Sequence, residues 1–168
     1  TGSVNSRMLK NIGAHFVIIG HSENREEGEN DKLINQKIKS ALEAKLKVIF
    51  CIGETLGEKK KGMTKSVLSK QIKVGLDSVK NKSNIFIAYE PVWAIGTGII
   101  PKSKVLLKTV EFIKSKFKGK IPKVLYGGSV NPQNIKNLKE INNIDGFLIG
   151  GASQNANKFI DIVKKTYS

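Results

Sequence analysis

Five short apolar, β-prone runs separated by amphipathic segments most narrow what this 168-residue chain can fold into. The runs are His15 to Gly20, Lys47 to Ile52, Ile85 to Glu90, Lys123 to Gly127 and Gly146 to Gly150. Each is too short for a stable helix and rich in aliphatic or aromatic residues, which predicts buried strands. Between them, apolar residues recur at helical spacing. Helices are expected at Asp31 to Ala44 (Leu33, Ile34, Ile38, Ala41 and Leu42 on one side), Lys65 to Val79, Lys102 to Phe117, Asn131 to Leu138 and Asn157 to Thr166. Asn131-Pro132 reads as a helix N-cap followed by proline in the first turn. Strand-then-helix units in succession imply a parallel sheet with right-handed crossovers, hence the α/β class. No linker or low-complexity tract interrupts the pattern, which predicts one domain over residues 1–168.

The candidate chemistry sits at the C-terminal ends of these runs, where parallel α/β folds carry their sites. Ala88-Tyr89-Glu90-Pro91-Val92-Trp93-Ala94-Ile95-Gly96-Thr97-Gly98 delivers a carboxylate to a strand end and follows it with a loop. Pro91 stiffens the near end of that loop, and Gly96 and Gly98 free the far end, which suits a hinged lid. Taken by itself, such a pattern is more often a solvated turn. His21, after the first run, is the second titratable group expected at this end of the sheet, although a lone histidine there is usually structural. Gly127-Gly128-Ser129 and Gly150-Gly151 follow the last two runs and offer backbone amides for close approach to an anion. Either glycine pair alone is more often a turn.

Composition excludes several classes. Neither Gly20-His21-Ser22 nor Gly127-Gly128-Ser129 completes the Gly-x-Ser-x-Gly elbow of a serine hydrolase. His15 and His21 are the only histidines and Cys51 the only thiol, too few for a clustered metal site. Cys51 lies within Val48-Ile49-Phe50-Cys51-Ile52 and reads as a buried reduced thiol of a cytoplasmic protein. A formal net charge of +15 raises nucleic acid as a partner, but the charge is nearly all lysine and scattered over helix-like segments. No nucleic-acid partner is therefore expected. Nor is a membrane, since no run of about eighteen apolar residues is present.

Taken together and in order, Ile18-Ile19-Gly20-His21-Ser22-Glu23, Cys51-Ile52-Gly53-Glu54, the block around Glu90, Tyr126-Gly127-Gly128-Ser129-Val130 and Gly146-Phe147-Leu148-Ile149-Gly150-Gly151-Ala152 closely resemble the triosephosphate isomerase family. The resemblance implies a (β/α)8 TIM barrel, of which this chain would supply strands four to eight, with the first three βα units absent. It implies Glu90 as catalytic base and His21 as electrophile. It places the lid on Pro91, Val92, Trp93, Ala94, Ile95, Gly96, Thr97 and Gly98. The amides of Gly96, Ser129, Gly150 and Gly151 would hold the substrate phosphate, and Ile95 would pack over the reacting carbons.

Glu23 resembles a carboxylate that contacts the family's lysine, a cation for which no residue here can be assigned by motif. Arg25, Glu29 and Glu54 match positions read as structural, with an exposed ion pair the simplest expectation. The implied reaction interconverts dihydroxyacetone phosphate and glyceraldehyde 3-phosphate without a cofactor or metal, in a cytoplasmic homodimer. Thr1 to Val4 resembles the loop that reaches the neighbouring subunit. A non-catalytic, phosphate-binding partial barrel is the alternative.

Overall fold

The computed structural model describes residues 3–168. Five strands, β1 (Phe16–Ile19), β2 (Lys47–Ile52), β3 (Ile85–Tyr89), β4 (Val124–Tyr126) and β5 (Gly146–Phe147), form one sheet in the order of the sequence. Every neighbouring pair is parallel. All five expected strands are present, the last shortened to two residues. Thr1 and Gly2 of the expected subunit-reaching loop lie outside the described residues.

The long helices are α3 (Asp31–Glu43), α5 (Thr64–Gly75), α6 (Ser103–Lys114) and α8 (Ala156–Tyr167), with α7 (Ile135–Lys139) shorter. Helix α5 ends before the expected Val79 because the Asn35 side chain draws in the carbonyls of Gly75 and Asp77 at 2.9 Å each. Ser78 then takes a left-handed φ of 57°. Helix α7 begins later than expected. Asn131 does act as a cap, its Oδ1 accepting from the amides of Gln133 and Asn134, but it caps a turn that precedes the α-helix. Three short helices were not expected: α1 (Ser6–Asn11), α2 (Ser22–Glu26) and α4 (Leu56–Lys60).

Alternation along the strands divides the sheet into two unlike faces. Val48, Phe50, Ile52, Ile85, Ile87, Tyr89, Val124 and Tyr126 point to the helices and are buried. They pack with Ile34 and Ile38 of α3, Leu68 and Ile72 of α5, Leu106, Val110 and Ile113 of α6, and Ile162 of α8. Burial of each such side chain stabilises by about 1.5–3 kcal/mol. On the opposite face Phe16 and Ile18 are 46% and 48% exposed, and Ile49, Phe86 and Leu125 only half-buried. The Phe16 and Phe86 rings meet edge-to-face there, 5.6 Å between centroids. Parallel sheets are ordinarily covered on both faces.

Gly75 shows how tightly the helix layer is seated. A Cβ there would lie 2.4 Å from Cζ of the fully buried Phe50. Gly75→Ala is therefore expected to destabilise the full protein by about 1–2 kcal/mol in denaturant titration, although alanine is the better helix former. A gain in stability would contradict this packing.

Candidate active site

Parallel strands bring their C-terminal ends to one side, and the loops that leave them there enclose a cavity of about 500 Å³. His21 enters it after β1 and Glu90 after β3. Ser129 comes from the β4 loop, Gly150 and Gly151 from the β5 loop, and Ile95 and Gly96 from the lid. Residues separated by up to 130 positions thus share one space. His21 Nε2 lies 3.5 Å from Glu90 Oε1.

Glu90 is 3% exposed, and its backbone is fixed by donation to the Ile52 carbonyl at 2.8 Å. Two glycines make its position possible. A Cβ on Gly53 would stand 1.8 Å from the Glu90 carbonyl oxygen, and one on Gly127 would stand 2.7 Å from Glu90 Cγ. Gly53 is held in turn by the Gln71 side chain, which accepts from its amide at 2.9 Å and donates to its carbonyl at 3.0 Å.

Burial pushes the Glu90 carboxyl above its ordinary 4.5, while His21, the Cys51 thiol and Arg25 pull the other way. Cys51 is a buried free thiol, as expected. Burial raises its pKa well above the usual range, and the Glu90 charge adds to that. It therefore stands beside the carboxylate as a neutral group.

His21 also caps α2, its Nδ1 accepting from the Glu23 amide at 3.4 Å. That arrangement leaves the proton of a neutral ring on Nε2, facing Glu90. The Glu23 carboxylate is 83% exposed, 3.7 Å from His21 Nδ1, and pairs with no lysine or arginine among the described residues. Arg25 ties the strand ends together: Nε donates to the Gly20 carbonyl at 2.8 Å, Nη2 to the Cys51 carbonyl at 3.1 Å and Nη1 to Asp31 at 2.7 Å. Glu29 pairs with Lys37.

Glu54 departs from the expected exposed ion pair. It is 1% exposed and holds the near end of the lid without a cation, accepting from Tyr89 Oη at 3.2 Å and Trp93 Nε1 at 3.0 Å. Burial, followed by the Glu54 charge, raises the Tyr89 pKa, which keeps its hydroxyl a donor. Pro91 is buried, Val92–Ala94 forms a 3-10 turn, and Lys59 Nζ stands 3.0 Å from the centre of the Trp93 ring.

Gly96 and Gly98 take φ of 68° and 75°, the left-handed region open to glycine. The far end of the lid is latched: the Gly98 amide donates to Ser129 Oγ at 3.0 Å, and Ser129 Oγ donates to the Ala94 carbonyl at 2.6 Å. The Ser129 amide also donates to Ala94, at 3.1 Å. The amides of Gly96, Gly150 and Gly151 have no internal acceptor among the described residues. Ile95 lines the cavity beside them.

Gly53, Gln71, Arg25 as a strand tie and Lys158 on the cavity wall were not singled out from sequence. Of these only Gly53 and Arg25 stand in or beside a quoted motif. Among the described residues no three His, Cys, Asp or Glu side chains gather to ligate a metal ion. No helix there is long and apolar enough to cross a membrane.

A cavity at the C-terminal ends of a parallel sheet, with a buried carboxylate facing an imidazole and glycine amides without internal acceptors among the described residues, is an α/β arrangement suited to a small ligand. The family model described as triosephosphate isomerase matches residues 1–166. Similar proteins named triosephosphate isomerase occur in Thermodesulfovibrio yellowstonii (44% identical, covering 98% of this chain and 70% of the relative) and in Mycoplasmopsis pulmonis (45%, covering 97% and 65%). Another is found in Carboxydothermus hydrogenoformans (46%, covering 98% and 69%). The chain belongs to the triosephosphate isomerase family, a family of isomerases, and spans about two thirds of the length of these relatives.

The burial of Glu90 gives stability a pH dependence of known sign. Its pKa in the folded chain stands above the ordinary 4.5, so the folded state binds the proton more tightly than the unfolded state. That favourable contribution is complete below the unfolded pKa and is lost as pH rises through the folded pKa. Glu90→Gln, which cannot ionise, is expected to exceed the parent in stability at pH 8, with the difference shrinking as pH falls toward 4.5. Denaturant titrations of both proteins at the two pH values measure this, and a difference independent of pH would contradict it.

Proposed function

We propose that Glu90 and His21 carry out the interconversion of dihydroxyacetone phosphate and glyceraldehyde 3-phosphate through an enediolate. The observation that carries this reading is the 3.5 Å approach of His21 Nε2 to Glu90 Oε1 inside the lidded cavity. Moving a proton between adjacent carbons needs a base next to both and a donor at the oxygens that gain negative charge. Glu90, stripped of water by burial, takes the proton from one carbon and returns it to the next. The Nε2–H of His21 donates to the carbonyl oxygen as charge develops, and the proton of the neighbouring hydroxyl passes to that oxygen by way of Nε2 as the new carbonyl forms. The general account of triosephosphate isomerases, in which a glutamate base and a neutral histidine act under a closing loop, supports this reading.

The phosphate is assigned to the acceptor-free amides of Gly96, Gly150 and Gly151. Ser129, whose amide and hydroxyl engage Ala94, joins them by re-aiming when the lid moves. Ile95 covers the reacting carbons, and residues Pro91 to Gly98 exclude water. Proton transfer of this kind requires no metal or organic cofactor.

The sheet is assigned to strands four to eight of a (β/α)8 barrel, with residues 1–168 belonging to that single domain. Support comes from the uncovered sheet face, the unpaired outer edges of β1 and β5 among the described residues, and the share of the relatives that the chain covers. In the completed barrel Glu23 takes up its lysine partner. A homodimer in the cytoplasm is part of the same proposal, as is the absence of nucleic acid or membrane as partners.

In the full protein, Glu90→Gln and His21→Gln are each expected to lower kcat about a hundredfold or more, with KM much less affected. Steady-state assays in both directions measure this, and near-normal kcat in either variant removes that residue from the mechanism. Gly151→Val is expected to raise KM by closing the approach to its amide, while circular dichroism stays unchanged. Residues 1–168 expressed alone are expected to turn over little or no substrate, because one apolar face of the sheet has no cover. Robust turnover by the isolated chain would overturn the assignment of strands four to eight.

A further inference from the structure

The cavity wall contains one cationic side chain among the described residues, Lys158. It stands in the first turn of α8, where its amide donates to the Asn155 cap at 3.0 Å. It lines the same cavity as Gly150 and Gly151, which lie on the loop just before α8.

Helix stability does not account for a lysine there. The N-terminal end of a helix carries positive partial charge, and no acidic residue occupies the first turn of α8 to offset it. Lys164 and Lys165, in the last turn, have the favourable polarity. Nor does an internal partner account for it. Lys165 Nζ pairs with Asp161 at 2.8 Å, whereas the Lys158 ammonium makes no ion pair among the described residues. Glu90 is the only carboxylate lining the cavity among the described residues, and it is committed beside His21. Positive helix end, acceptor-free glycine amides and an unpaired ammonium thus concentrate one sign of charge on one side of the space.

We propose that Lys158 is a further substrate-binding residue, an ammonium that holds the phosphate group against the amides of Gly150 and Gly151. The proposal rests on the reading of this cavity as a phosphate site and adds a residue that no family motif assigns. Lysine is suited to such a role because it carries a compact charge on a flexible stem that follows a dianion through entry and release. Its exposure limits the strength of the interaction and makes it sensitive to salt.

The test uses the full protein, with inorganic phosphate as competitive inhibitor and triose phosphate as substrate. Lys158→Gln is expected to raise both the inhibition constant of phosphate and KM by about three- to tenfold, the range of a partly screened charge-assisted contact. The deficit should shrink as salt is added, and Lys158→Arg should restore most of the affinity. Lys164→Gln, on the same helix but away from the cavity, should leave both constants unchanged. Two results overturn the proposal while leaving the phosphate site intact: phosphate affinity within about twofold of the parent in Lys158→Gln while Gly151→Val weakens it, or equal losses in Lys158→Gln and Lys164→Gln. If neither Gly151→Val nor Lys158→Gln changes phosphate affinity, the phosphate site itself is misplaced and Lys158 falls with it.

Discussion

The peptide of Glu90 lies against Gly53 so closely that no side chain fits between them, and the rest of the site depends on that approach. It comes from the pairing of β2 with β3, in which the Glu90 amide donates to Ile52 one residue before the glycine. Gln71 of α5 grips both polar groups of Gly53, so the helix layer fixes the loop that fixes the carboxylate. Gly127 clears the far side for the Glu90 side chain. The carboxylate is thereby buried without a salt bridge to lysine or arginine among the described residues, which raises its proton affinity and leaves it available to a ligand.

The lid obeys a related logic. Glu54 is a second buried carboxylate, satisfied by the Tyr89 hydroxyl and the Trp93 indole instead of by a cation. These bonds anchor the Trp93 end of the Pro91 to Gly98 loop to the strand that carries Glu90, so the carboxylate and the loop beside it share one support. The far end is held by one hydrogen bond, from the amide of Gly98 to Ser129 Oγ, and Gly98 takes its left-handed backbone conformation at little cost. Under the proposed function, a loop firmly rooted at one end and lightly latched at the other is suited to open as a lid without moving the carboxylate.

Much of this was legible in the sequence because it depends on local pattern. Each strand was a short β-prone run, and α3, α5, α6 and α8 had apolar stripes to bury. Helices α1 and α4 bury no residue, so periodicity could not reveal them. The Thr55-x-x-Glu58 capping box before α4 was nevertheless a readable signal. Glu90, His21 and the glycine pairs stood out because each ended a strand run. The burial of Glu54 and the grip of Gln71 on Gly53 arise between elements 18 to 39 positions apart, and no local pattern encodes them. Lys158 was hidden by abundance: among 29 lysines and arginines, only the fold shows which one lines the cavity.

The central claim is that Glu90 moves a proton between neighbouring carbons of a bound triose phosphate. The most direct measurement is the isotopic content of the product when the full protein converts dihydroxyacetone phosphate in deuterium oxide. A carboxyl that has taken up the substrate's proton exchanges it with solvent during turnover, so the account predicts deuterium at the carbon that receives it. It also predicts that Glu90→Gln abolishes both this incorporation and the deuterium washed back into unreacted substrate. Complete retention of the substrate's hydrogen in the product, or undiminished incorporation by Glu90→Gln, would contradict it.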